Sequence, residues 1–371
     1  MGYTMTFPRL YRMINDPYDK IGIRQVINAA GKMTALGGTA QKEAVAKAQS
    51  LAAQSHVDIS ELRQLAGKKI AAVTGAEAAT ITNGAASGIA IATAAVITGT
   101  NIEKIKSVPF VDGPNQILLQ KGHDINFGAD ITQMISMGGG RPVTYGSKKC
   151  VTNSDLESAI TKQTAALLYV KSHHCIQENR LPIDALVSKD LPVIVDAAAE
   201  VNLRSHIRSG ANLVTYSGGK AIGGPTSGFI AGDARMIEAC ELQQMGIGRA
   251  MKVGKEQIMG LLVALEQVAE STSANEDVMQ ALFRALGSFS LLKVSIEPDR
   301  AGRDIKRVGL RSTHFPIIDL VNHLERGNPS IRTRNHQMLD GLILFDVREL
   351  QSQHVAIIHH RVADFFRPHA T

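Results

Sequence analysis

Lys220 lies in "TYSGGKAIGGPTSG", residues 215–228, where a lysine is surrounded by glycines, a proline and hydroxyl side chains. A primary amine on so bare a backbone is suited to forming an imine with a carbonyl compound and then shuttling protons. Asp196 precedes it by 24 residues and closes the apolar run "PVIVDAA", 192–198. That run predicts a buried strand with the carboxylate projecting at its C-terminal end, where α/β sheets hold their ligands. A carboxylate buried there needs a cationic partner, although Asp196 could equally cap the segment that follows it. A third stretch, "TNGAASG" at 82–88, follows the strand-like "ATIT" and opens an apolar helix. The amides of Gly84, Ala85, Ala86 and Ser87 would form an anion site at the helix N-terminus, and Ser217, three residues before the lysine, can add a hydroxyl to it. Small residues at such a turn also serve close helix packing. An imine-forming lysine, a carboxylate for a ring nitrogen and a cup for a phosphate are together what pyridoxal 5'-phosphate requires.

Other chemistries lack their residues. Gly219-Lys220 is followed by Ala221, so no phosphate-binding G-x-x-x-x-G-K-[ST] exists, and H-E-x-x-H and G-x-S-x-G are absent. The pairs His173-His174 and His359-His360 are adjacent, so on strands each pair would diverge and could not chelate one metal. No metal site is expected.

Seven strand-like runs must position these residues: 79–82, 116–120, 141–146, 165–170, 192–198, 211–217 and 228–233, separated by helix-like stretches at 85–97, 128–136, 154–160, 184–188 and 234–244. The alternation predicts one large, mostly parallel sheet covered by helices. The stretch 254–273 reads as a long helix between domains. Beyond it, "LLKVSIEP", "HFPIIDL", "SIRTR" and "LILFDVREL" form a strand-rich pattern suited to a small α+β domain. The expected division is an N-terminal arm at 1–48 without clear sheet pattern, a cofactor-binding large domain at 49–255, and the linking helix with the small domain at 256–371.

The 371 residues are 44% hydrophobic and 20% charged, in the range of globular proteins. A net charge of +6, dispersed rather than gathered into a run, suits an anionic small molecule. No Trp and 4% aromatic residues leave little for a base-stacking platform, so nucleic acid is not expected as a partner. Three widely spaced cysteines, no apolar leader and no stretch long enough to span a bilayer predict a cytoplasmic protein without membrane attachment.

"ANLVTYSGGKAIGGPTSGFIAGD" resembles the cofactor-lysine segment of bacterial selenocysteine synthase, the seryl-tRNA selenium transferase, and of its small-molecule relatives of the aspartate-aminotransferase fold. The likeness continues in "VINAAGKM" at 26–33, "VIVDAAAE" at 193–200, "GRAMKVGKEQIMGLLVALE" at 248–266 and "GNPSIRTR…GLILFDVREL" at 327–350. It implies a fold-type-I large domain with Lys220 as the Schiff-base lysine, Asp196 as the pyridinium partner and Gly84 to Ser87 as the phosphate cup. It places His123 of "KGHDINFG" where this fold stacks a side chain on the cofactor ring. Arg249, Lys252, Lys255, Arg332 and Arg334 become candidates for gripping substrate carboxylate and phosphate, with His173 a further substrate contact; each cation could equally be a solvated surface charge. Arg348 reads instead as a structural ion pair with Asp346 or another nearby acid.

Gly219 stands where the tRNA-handling synthases carry an acidic residue, and their N-terminal helical domain has no counterpart in this sequence, so the resemblance is nearer to the D-glucosaminate-6-phosphate ammonia-lyases. It implies water elimination and deamination of a 2-amino sugar acid in a homo-oligomer. Lys220 would take the α-proton, while His123, His173 or Lys220 protonates the leaving hydroxyl. A β-eliminating amino-acid lyase or racemase is the alternative, and a tRNA-acting transferase a remoter one.

Overall fold

The computed structural model describes residues 17–172, 174–268, 275–299 and 304–367. Its strands are β1 Val26–Ala29, β2 Ala78–Thr82, β3 Gln116–Gln120, β4 Arg141–Tyr145, β5 Thr164–Val170, β6 Val193–Asp196, β7 Leu213–Ser217, β8 Gly228–Gly232, β9 Leu292–Pro298, β10 Lys306–Ser312, β11 Ser330–Thr333 and β12 Leu342–Phe345. Of the described residues, 32–268 form one unit, and 17–31, 275–299 and 304–367 form the other.

The large unit is built on a seven-stranded sheet of order β2-β8-β7-β6-β5-β3-β4. β8 runs antiparallel to both its neighbours, and every other pairing is parallel. Strands buried on both faces must be apolar at nearly every position. Along β6, Val193 and Val195 enter the core on one side of the sheet and Ile194 the core on the other; Leu118 of β3 is likewise opposed to Ile117 and Leu119. All seven expected strands are present, with ends shifted by at most two residues. Because β2, β3, β5, β6 and β7 point the same way, their C-terminal ends share one edge of the sheet.

Helices Ile59–Thr74 and Lys255–Val268 contribute to one core and helix Ala85–Thr98 to the other. The first starts at Asp58, whose side chain accepts from Glu61 N, and stops at Gly75 in the left-handed region, φ 72°.

In the small unit, a three-stranded antiparallel sheet β12-β10-β9 is packed by helices Glu276–Gly287, Ile317–Arg326 and Ser352–Phe366. Within "HFPIIDL" the strand-like reading gives way to a helix: Pro316 caps it, and Ile317, Leu320, Val321 and Leu324 recur at helical spacing on its buried side. His359 and His360 also lie on a helix, where neighbours still diverge.

The expected arm contains β1, which pairs in parallel with β11, Val26 opposite Ser330. The expected boundary at 48 falls inside helix Glu43–Ala53, which packs on Lys255–Val268 within the large unit. No described helix is long and apolar enough to cross a membrane.

Candidate active site

Asp196 ends β6 between Val170 of β5 and Thr215 of β7, its register partners. Only 5% of it is exposed. Its Oδ1 accepts from Ala198 N at 3.2 Å and from Thr215 Oγ1 at 3.4 Å, and among the described residues no cation lies in salt-bridge contact. Burial pushes the carboxyl above the usual carboxylate range, while the positive charge of Lys220 pulls the other way. The capping alternative finds no helix to cap, since the next one begins at Ser205; the bond from Ala198 N is a local side-chain turn.

Lys220 follows β7 on a loop tied to itself. Gly218 N donates to Ser227 O at 2.7 Å, Gly224 N to Gly218 O at 2.8 Å, and Gly223 N to Lys220 O at 3.1 Å. Gly218 is packed against Ser227 Oγ so closely that a Cβ would collide with it. Gly224 lies against Leu261 and Ala264 of helix Lys255–Val268. The glycines of "GGKAIGGPTSG" thus allow a tightly folded loop beneath a half-buried lysine.

The third element closes the group from β2. In helix Ala85–Thr98, Gly88 N bonds to Gly84 O, leaving the amides of Ala85, Ala86 and Ser87 as the unpaired donors that helix geometry dictates. A Cβ on Gly88 would stand 3.1 Å from Thr215 Cβ, and one on Gly228 would stand 2.8 Å from the Gly84 carbonyl carbon. Thr215 therefore lies with its methyl side against Gly88, in the first turn of that helix, and bonds Asp196 with its hydroxyl. Sequence reasoning missed Thr215, although its place two residues before Ser217 on the same strand was visible. Ser87 Oγ donates to Gly84 O at 2.8 Å; Ser217 is half-buried at the end of β7.

His123, just beyond β3, is fully buried. Its Nδ1 accepts from Val170 N at 3.1 Å, so in the neutral ring the proton sits on Nε2, which is buried without a partner among the described residues. Its ring meets Tyr169 edge-on at 4.9 Å. Burial first, then the positive charge of Arg180, pushes its pKa down to about 4. At neutral pH His123 is a hydrogen-bond donor through Nε2 and not an imidazolium acid.

The other expected substrate contacts have separate settings. Lys255 Nζ donates to Ala53 O at 3.2 Å, at the end of helix Glu43–Ala53. Arg249 and Lys252 are exposed on the segment before helix Lys255–Val268. Arg332, on β11 of the small unit, pairs with Glu325 at 2.8 Å, and Arg334 follows that strand and is buried. His173 lies outside the described residues. Among those described, no group of three or more His, Cys, Asp or Glu could hold a metal ion.

The residues at the shared sheet edge fit pyridoxal phosphate on three observations: a buried carboxylate without a counter-ion, an orphaned donor at His123 Nε2, and a long helix opening on bare amides.

Comparison with known proteins agrees. The family profile of L-seryl-tRNA selenium transferase matches residues 192–288. A D-glucosaminate-6-phosphate ammonia lyase of Salmonella typhimurium is 41% identical, over 94% of this chain and 97% of that one. A 5'-C-glycyluridine monooxygenase-decarboxylase of a Streptomyces species is 39% identical, over 95% and 92%. Among solved structures, a D-glucosaminate-6-phosphate ammonia-lyase superimposes with a TM-score of 0.89 at 40% identity, covering 95% of this chain and 98% of that one. Aspartate aminotransferase of Thermus thermophilus, 14% identical with a TM-score of 0.54 over 94% of each chain, shares the fold.

Proposed function

The chain belongs to the family that joins L-seryl-tRNA selenium transferase to D-glucosaminate-6-phosphate ammonia-lyase, and from that premise we propose that it is a pyridoxal-phosphate-dependent ammonia-lyase of a 2-amino sugar acid, D-glucosaminate 6-phosphate being the first candidate. The observation that supports the cofactor assignment is Asp196, a carboxylate held in the core with two weak neutral donors and, among the described residues, no cation in salt-bridge contact. Membership of this family and the aminotransferase-like fold are consistent with that assignment.

When bound, the cofactor supplies an electron sink for a carbanion at the substrate α-carbon. Lys220 would remove the α-proton and, so protonated, could return a proton to the departing 3-hydroxyl. His123 is unsuited to that second role, since its ring is uncharged at neutral pH; it holds a polar atom by donating from Nε2. Asp196 keeps a positive charge on its ring partner, and Thr215 orients the carboxylate that does so. The amides of Ala85, Ala86 and Ser87 hold phosphate at the positive end of their helix. The net change is loss of ammonia: the water eliminated across C2 and C3 is recovered when the carbon–nitrogen bond is hydrolysed, leaving a 2-keto-3-deoxy acid. A homo-oligomeric assembly belongs to the same proposal.

Incubation of the loaded enzyme with D-glucosaminate 6-phosphate should release ammonia and a keto acid in equal amounts. The 39% identity to the Streptomyces enzyme supports a second reading. Oxygen uptake with carbon dioxide release from a glycyl-nucleoside, without turnover of the sugar acid, would favour it. Pyruvate or racemised product from ordinary amino acids would point to a β-eliminating lyase or racemase.

A further inference from the structure

We infer that Thr39, far from the lysine in sequence, is the positioning residue that sets the direction of the Lys220 side chain. The stretch "MTALGGT", 33–39, folds back on itself. Gly37 N donates to Thr34 O and Gly38 N to Met33 O, and both glycines have φ of 79°, in the left-handed region where side chains are disfavoured. The fold-back delivers Gly38 against the lysine loop: a Cβ there would stand 2.5 Å from Gly219 O. Thr39 Oγ1 then donates to Gly219 O and to Lys220 O, each at 3.1 Å.

Those two carbonyls flank the α-carbon of Lys220. One hydroxyl bonded to both, from a residue outside the loop, restrains the peptide planes on either side of that carbon, and so the line along which Cβ leaves the chain. The loop's internal bonds tie Gly218, Gly223 and Gly224, whereas the Gly219 carbonyl is held from outside by Thr39. A lysine that must first bond to an aldehyde and then reach a substrate proton has a long flexible stem, so the anchoring of its root decides how often the amine stands in place.

The inference rests on Lys220 being the cofactor lysine. The test compares wild type, Thr39→Val, Thr39→Ser and Gly38→Ala, each loaded with pyridoxal phosphate. Three quantities are read: the pH midpoint of the visible absorption band, kcat with KM, and the melting temperature. Thr39→Val should lower kcat about tenfold with little change in KM, and displace the pH midpoint by about half a unit to one unit, the scale of one neutral hydrogen bond. Thr39→Ser, which keeps the donor, should restore both. Gly38→Ala, which pushes on Gly219 O, should displace the midpoint without removing the hydroxyl, and it carries the test if Thr39→Val fails to fold.

A melting temperature that falls while midpoint and kcat stay at wild-type values would make Thr39 merely structural and overturn the inference, as would failure of serine to restore them. Absence of any visible band in wild type would instead defeat the cofactor reading.

Discussion

Two carboxylates buried in different units show how a structural charge differs from one reserved for chemistry. In the small unit, Asp346 is fully buried and accepts from Arg307 Nε at 2.9 Å and from Arg348 through Nε at 2.9 Å and Nη2 at 2.8 Å; Asp299 holds the other side of Arg307 at 2.9 Å. Hydrogen bonds and charge from the two arginines outweigh the effect of burial and hold Asp346 down to about 2. In the large unit, Asp196 is buried as deeply, yet it has only a backbone amide and a threonine hydroxyl, and burial prevails over the pull of Lys220. The first charge is complete within its unit. The second has no such partner among the described residues, which is the setting the proposed cofactor would complete.

Removing the charge should therefore act in opposite directions at the two sites. Asp346→Asn leaves Arg348 without its carboxylate and Arg307 with only Asp299, and should cost about 3 kcal/mol of stability in denaturant unfolding. Asp196→Asn should lower kcat by about 10²–10³-fold, the scale of one lost electrostatic contact to the reacting system. The same change should leave the cofactor-free protein as stable as wild type or more stable by about 1 kcal/mol, because it removes an uncompensated buried charge. Destabilisation of the cofactor-free protein by both variants would break the contrast.

Acid sharpens it. The carboxyl of Asp346 is depressed on folding, so its contribution is fully present above the ordinary carboxylate value and is lost as pH falls from about 4 to about 2. The loss is about 2 kcal/mol. Asp196 is raised on folding and has the opposite sign: its ionisation costs stability as pH climbs above the ordinary carboxylate value, a cost that the proposed cofactor should remove. Melting temperatures of Asp346→Asn and wild type should converge between pH 4 and pH 2. Smaller still, Lys255→Ala should leave kcat within about twofold and lower stability by less than about 1 kcal/mol, as loss of one cation at a helix C-terminus does; a large rise in KM would return Lys255 to the substrate contacts.

The sequence made the large sheet legible because strands buried on both faces are nearly continuous apolar runs between turns, as "QILLQ" and "PVIVDAA" are. Lys220, Asp196 and the turn Gly84 to Ser87 stood out as candidates because each pairs an unusual residue with a strand end, and their strands all end at the same edge of the sheet. β1 was not, since four residues of "VINA" acquire meaning only beside β11, some 300 positions later. Helices Glu43–Ala53 and Ile59–Thr74 were missed in a stretch crowded with Ala, Gln and Lys: the first buries only Val45, and the second buries mostly small residues, Ala66, Gly67, Ala71 and Thr74 beside Ile70. Thr39 escaped for the same reason as β1, because a threonine near two glycines signals a turn, while its two acceptors lie 180 and 181 residues away. His123 was a candidate by its position after β3, but its protonation state depends on depth and on the amide of Val170, neither of which a sequence displays.

In the proposed reaction everything depends on Lys220 carrying the cofactor. Borohydride reduction of the protein loaded with pyridoxal phosphate, followed by proteolysis and mass mapping of the modified peptide, tests it most directly. A single reduced adduct on the peptide containing Lys220, absent from Lys220→Ala, is the predicted result. An adduct confined to another lysine, or none in a protein that still turns over its substrate, would contradict it.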